Sequence, residues 1–174
     1  MIQIRRSGGK LVGAGSAIAG IAIPILVLVM LVPVLLRARE GARQASCGAN
    51  LKQTCLALTL YAADYDETFP TATRWNQLLR PYIKNPRDFI CPSVRGSVPD
   101  YAMNKSLGSV SRKGVKSLEK TVGIYESVPG INQTGGLELL PVPGRHVGGN
   151  EMGFADGHTK WYKDGNYSSI RWKP

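Results

Sequence analysis

Three cysteines and two histidines are the residues of this chain best equipped for chemistry. Cys47 and Cys55 stand eight residues apart in a stretch of helical periodicity. Eight residues of helix rise about 12 Å, which is beyond the reach of a disulfide. Cys91 can therefore bond to one of them at most, and spacing leaves Cys47, Cys55 or no partner open. The cysteine spacing offers no paired ligands for zinc. His146, Glu151, Asp156 and His158 can be drawn as a metal set, but Asp156 fits a turn and His158 the strand after it. No metal centre is expected from them. Asp64, Asp66 and Glu67 lack the oxygen-rich spacing of a calcium loop and read as solvated acids at a helix end. No serine occupies a G-x-S-x-G elbow and no phosphate loop is present. The expectation is a protein that is not an enzyme, with no cofactor and no evident small-molecule substrate.

The elements that must position these residues fall into an apolar arm and one small domain, in a chain of 174 residues. From Leu11 to Leu36 there is no charged residue. A bilayer needs roughly 20 apolar residues, so the run is long enough to cross one. It exceeds a signal-peptide core, and no small-residue cleavage site follows it. The sequence thus predicts a basic cytoplasmic tail over 1–10 and a transmembrane helix over 11–36. Pro24 and Pro33 each remove a backbone donor inside that helix and are expected to kink it. Arg5, Arg6 and Lys10 precede the run and Arg37, Arg39 and Arg43 follow it, so the positive-inside rule does not orient it. All three cysteines lie beyond the run, and small domains gain crosslinks in oxidising compartments. This predicts an N-terminus inside and a head outside the membrane.

Past Arg37 the composition turns polar with no turn signal. Cys47, Leu51, Cys55, Leu58, Ala62 and Tyr65 recur at spacings of three and four, which predicts an amphipathic stalk helix over 37–65 whose apolar stripe needs cover. The remainder, 66–174, is expected to supply it. Asp66 to Pro70 ends the helix. Arg74 to Tyr82 reads as a short helix with Trp75, Leu78 and Leu79 on its apolar face. Asn85 to Ser93 reads as a loop, 94–118 as polar and aperiodic, and Thr121 to Ser127 as a strand. Val128 to Pro143 reads as a loop with an extended piece at Leu137 to Leu140. Asp156-Gly157 lies between two alternating runs and predicts a two-residue hairpin. Gly165 to Pro174 reads as a basic tail anchored by Tyr167 and Trp172. The formal net charge is +10. Lys105, Arg112, Lys113, Lys116 and Lys120 carry part of it without interleaved aromatic residues, so a solvated face is expected rather than a nucleic-acid surface. The order of elements is α+β, with the long helix on one face of a small antiparallel sheet.

Arg37 to Pro70 (RAREGARQASCGANLKQTCLALTLYAADYDETFP) closely resembles the segment after the membrane helix of bacterial type IV pilin-like proteins. The resemblance is to prepilin-type, type II secretion pseudopilin-like proteins with a C-terminal H-x9-DG motif. His146, nine residues and Asp156-Gly157 match that motif, and Phe89-Ile90-Cys91-Pro92-Ser93 matches an FxCPS element. TVGIYES looks like the strand before the motif, and Pro33 matches the family's helix proline. The resemblance spans roughly residues 33–163. It implies a pilin-like fold, a Cys47–Cys91 disulfide tying the loop to the stalk, and a structural subunit in a type IV filament or type II secretion assembly. Membrane lipid and other pilin-like subunits, in a homo- or hetero-oligomer, are the implied partners. The inner membrane with a periplasmic head, or a cell-surface filament, is the implied location. One departure stands out. Such prepilins carry a basic leader and then Gly-Phe-Thr-Leu-Ile-Glu, but Val12 and Ser16 occupy the places of the Phe and the Glu. A span without that Glu also suits a single-pass anchor that presents a binding head and does not polymerise.

Overall fold

The structure, a computed structural model, describes residues 14–94 and 96–174. The expected basic tail, the start of the apolar run at Leu11 and the Phe position at Val12 lie outside the described residues. The chain divides into two units, Met1–Arg39 and Glu40–Pro174.

A single long helix, α1 (Ala14–Asp64), contains Pro24 and Pro33 without a break. Its large apolar side chains from Ile18 to Leu36 are exposed, in many cases by more than half. A helix apolar on every side is matched by lipid rather than by water. Among the described residues α1 is the one helix long and apolar enough to cross a membrane.

In the second unit the periodic stripe finds its cover. Cys47, Leu51, Cys55, Leu58 and Ala62 are fully buried. Tyr65, expected at the end of the stripe, is exposed instead and stacks on Tyr61 at 4.2 Å. The helix has ended at Asp64, and Asp66 and Glu67 turn the chain with φ of 51° and 57°. The short helix α2 (Trp75–Leu79) follows and continues as a 3-10 turn over Arg80–Tyr82. Trp75 and Leu79 point into the core.

Five strands form one sheet: β1 (Tyr101–Asn104), β2 (Val122–Glu126), β3 (Thr134–Gly135), β4 (Gly149–Phe154) and β5 (Thr159–Lys163). Their order is β3-β1-β2-β4-β5. The β1–β2, β2–β4 and β4–β5 pairs are antiparallel, but β3 runs parallel to β1. The architecture is α+β and pilin-like, with a mixed sheet where an antiparallel one was expected. The loop after β2 passes across β1 before β3 forms, so β3 meets β1 in the same direction.

Alternation sorts the sheet into two faces. Tyr101, Met103 and Ile124 pack with the α1 stripe. Ala102, Tyr125, Met152 and Phe154 fill the other face with Ile170, beneath Tyr162, Tyr167 and Trp172. The C-terminal segment therefore is cover as well as tail. Val122 N donates to Arg171 O at 2.9 Å, Arg171 N donates to Lys120 O at 2.8 Å, and Trp172 stands edge-on to Tyr125. Gly153 sets how closely α1 meets β4, since a Cβ there would lie 2.1 Å from Cys55 Sγ.

Two local expectations are corrected. Residues 94–118 contain β1, all of it buried, which aperiodicity concealed. Leu137–Leu139 is a 3-10 turn and not extended, while the extended piece is β3 just before it.

Candidate functional site

β4 is bracketed by the residues of the H-x9-DG spacing. Val147, Gly148, the six residues of β4 and Ala155 make up the nine. His146 and Gly149 exchange backbone hydrogen bonds of 3.0 and 3.2 Å across Val147 (φ 54°) and Gly148 (φ 73°). Two consecutive positive φ values match a type I′ turn. At the far end Gly157 N donates to Phe154 O and Phe154 N donates to His158 O, both at 2.9 Å. The loop is thus three residues, Ala155 to Gly157, and of the Asp-Gly pair Gly157 alone takes positive φ, at 99°. This replaces the expected two-residue turn with a type I turn closed by a glycine bulge. His146 and Asp156 consequently sit at opposite ends of a six-residue strand, about 20 Å long.

At the His146 end four side chains from four elements meet. Cys47 comes from α1, Cys91 from the loop after a 3-10 turn at Pro86–Phe89, Glu126 from the end of β2, and His146 from the turn before β4. All but Glu126, at 0% exposure like the rest, were singled out in the sequence. The two sulfurs, a Glu126 oxygen and a His146 nitrogen all lie within 4.8 Å of one another. Cys47 Sγ donates to Glu126 Oε1 at 2.9 Å. His146 Nε2 lies 3.1 Å from Glu126 Oε1 and 3.3 Å from Cys91 Sγ. Its Nδ1 faces Glu40 Oε1 at 3.2 Å. The His146 side chain therefore bonds across elements and not within its hairpin.

A surrounding set of contacts holds these groups in place. Glu151 N donates to Glu126 Oε2 at 2.7 Å, and Trp161 Nε1 donates to His146 O at 2.9 Å. The Tyr101 hydroxyl lies 3.2 Å from Cys47 Sγ. Cys91 N donates to Asp100 Oδ1 at 2.8 Å, and Asp100 pairs with Arg145 at 3.0 Å. Arg145 also donates to Ser127 O.

The groups tune one another. Burial pushes the Cys47 thiol far up. The hydrogen bond from Cys47 draws Cys91 down to about 6, against burial and with help from His146. Burial opposes a charged imidazole, yet Cys91 and Glu126 raise His146 to about 10. Burial also acts against the Glu126 carboxylate, but His146 and Cys47 hold it below its usual range. These shifts favour a charged imidazole beside the Glu126 carboxylate, draw Cys91 toward its thiolate and keep Cys47 a thiol. Full burial keeps a bulky substrate away from it. Two adjacent thiols can form a bond, and the same four groups can surround a cation.

The other singled-out residues lie elsewhere. Cys55, like Cys47 and Cys91 not disulfide-bonded, packs against Gly153. The metal set drawn from the sequence divides: His158 Nδ1 pairs with Asp156 Oδ1 at 2.7 Å in the turn, and Glu151 faces Gln44 and Gly48. Glu126 is the member that sequence reasoning does not reach, because TVGIYES reads as a strand, and its one signal is an acid in a run with no other charge.

The model of a family described as a protein of unknown function (DUF1559) matches residues 37–81. No curated protein and no solved structure matches the chain. The matched segment begins in α1, includes Cys47 and Cys55, and stops short of Cys91, Glu126 and His146.

Proposed function

We propose that this chain is a structural, membrane-anchored, pilin-like subunit of a type IV filament or a type II secretion-type assembly. Residues 11–36 cross the cytoplasmic membrane once, and the head lies outside it. Like subunits meet through the N-terminal helix. The observation that carries this reading is that α1 supplies both an uncharged, lipid-matched segment and the buried stripe of an α+β head. The DUF1559 match over 37–81 supports it, since that family is associated with pilin-like, prepilin-type proteins. No catalytic step belongs to this reading.

Ser16 favours a second reading, in which the chain remains a single-pass anchor and presents its head to a partner. Intact-mass and N-terminal analysis of the membrane-extracted protein separates the two. A shortened chain with an N-methylated terminus is expected for the subunit, and an unprocessed Met1 terminus for the anchor. A second test removes the span. Residues 40–174 are expected to be monomeric, and filaments formed by that fragment would sink assembly through the helix.

A further inference from the structure

We infer that Cys47, Cys91, Glu126 and His146 form a binding site for one zinc ion, which staples the α1 stalk to the Cys-Pro loop, β2 and the β4 turn. The donor set is a zinc set: two sulfurs, one imidazole nitrogen and one carboxylate oxygen. In tetrahedral zinc, bonds of about 2.3 Å to sulfur and about 2.0–2.1 Å to nitrogen and oxygen separate ligand atoms by roughly 3.3–3.8 Å. Here the close pairs stand at 2.9, 3.1 and 3.3 Å and no pair exceeds 4.8 Å, so the distances bracket that range.

The surroundings also fit. A zinc-bound histidine commonly gives its other ring nitrogen to a carboxylate, and His146 Nδ1 faces Glu40 while Nε2 faces the sulfurs and Glu126. The second oxygen of Glu126 is held by Glu151 N. Among the described residues no lysine or arginine pairs with any of the four ligands, because Arg145 is taken by Asp100 and Ser127, and Arg43 by Glu40. A buried carboxylate and two sulfurs with no lysine or arginine against them suit a divalent cation. On binding, the Cys47 thiol and His146 Nε2 give up their protons to solvent and Cys91 binds as its thiolate, leaving Nδ1–H for Glu40. A surface cleft of about 500 Å³ has Asn50, Arg87, Ile90 and Cys91 among its lining residues. None of this depends on filament assembly.

The test uses the full chain in detergent, reduced, freed of metal with a chelator, and titrated with cobalt(II) and then zinc(II). One equivalent of cobalt is expected to give a thiolate-to-cobalt charge-transfer band and the visible bands of tetrahedral cobalt, both abolished by zinc. Cys91→Ser and His146→Gln should weaken binding at least about tenfold, and Cys55→Ser should leave it unchanged. Glu40→Gln, which removes a positioning residue, should keep the band positions while weakening zinc about 10- to 100-fold. Should a ligand variant fail to fold, the wild-type chain decides alone. Absence of the cobalt bands in folded wild type, with Cys47 and Cys91 shown free by alkylation mass, overturns the proposal. So does unchanged binding in folded Cys91→Ser. A chain isolated with a Cys47–Cys91 disulfide that takes up no cobalt after reduction overturns it as well.

Discussion

The two ends of β4 look equivalent in the sequence, each marked by a residue of the same spaced motif, yet they are held by different physics. At the first end His146 is fully buried and bonded to Glu126, Cys91 and Glu40, which come from distant parts of the chain. At the second, Asp156 and Gly157 bond to neighbours within a few residues. One end is specified by chemistry gathered from four elements. The other is specified by backbone conformation and would serve any hairpin. A spacing of nine residues between the two does not make one site. It measures a strand.

The most severe way to break the first end is His146→Leu in the reduced, metal-free chain. It leaves Glu126 buried without its cationic partner, which costs about 3–5 kcal/mol. Chemical denaturation of the full chain in detergent should show the midpoint falling accordingly. Glu126→Gln combined with His146→Gln should cost less than the sum of the two single changes, because each single change strands the other group. Additive costs would mean that the pair is not coupled and that the first end resembles the second.

How much of this was legible depended on whether a signal was local. The α1 stripe from Cys47 to Ala62 showed its period because one face is buried over several turns. β2 showed itself through an apolar, β-branched run. β1 did not, because four residues buried on both faces leave no alternation to detect. Tyr65 was misplaced by one turn because periodicity does not reveal where Asp66 and Glu67 reverse the chain. For the cluster, Cys47, Cys91 and His146 were visible one at a time. Their convergence was not, since it depends on which strands pair and which face α1 covers. Glu126 was hidden for the same reason: in sequence it is the end of a strand, and only pairing places it beneath Cys47.

The second end should break more gently. Gly157 has φ of 99°, and a Cβ there would meet Leu56 and Thr59 at ordinary contact distances of 3.5 and 3.6 Å. The cost of Gly157→Ala is therefore conformational and not steric, about 1–2 kcal/mol. Thermal unfolding in detergent should report it, while the alkylation rates of Cys47 and Cys91 in the folded state stay unchanged. A change in those rates would couple the two ends and spoil the contrast between them.

Between the ends lies a position where the sequence opposes its own conformation. Val147 is β-branched, exposed and held at φ of 54°. Val147→Asn keeps the turn and suits positive φ, so stability should rise by about 1 kcal/mol. A loss of stability in the same unfolding assay would mean that the valine side chain has a partner outside this chain, as subunit contacts would provide.

The smallest effect expected is at Asp156, the motif's other polar residue. Its Oδ1 accepts from His158 N at 3.1 Å and pairs with the half-exposed His158 ring. Exposed contacts of this kind contribute little, so Asp156→Ala should lower stability by only about 0.5 kcal/mol. Asp156→Asn retains the acceptor oxygen and should be nearly silent. If Asp156→Asn instead matched the loss at His146, charge and not turn geometry would hold the second end. The two halves of the motif would then have to be explained together.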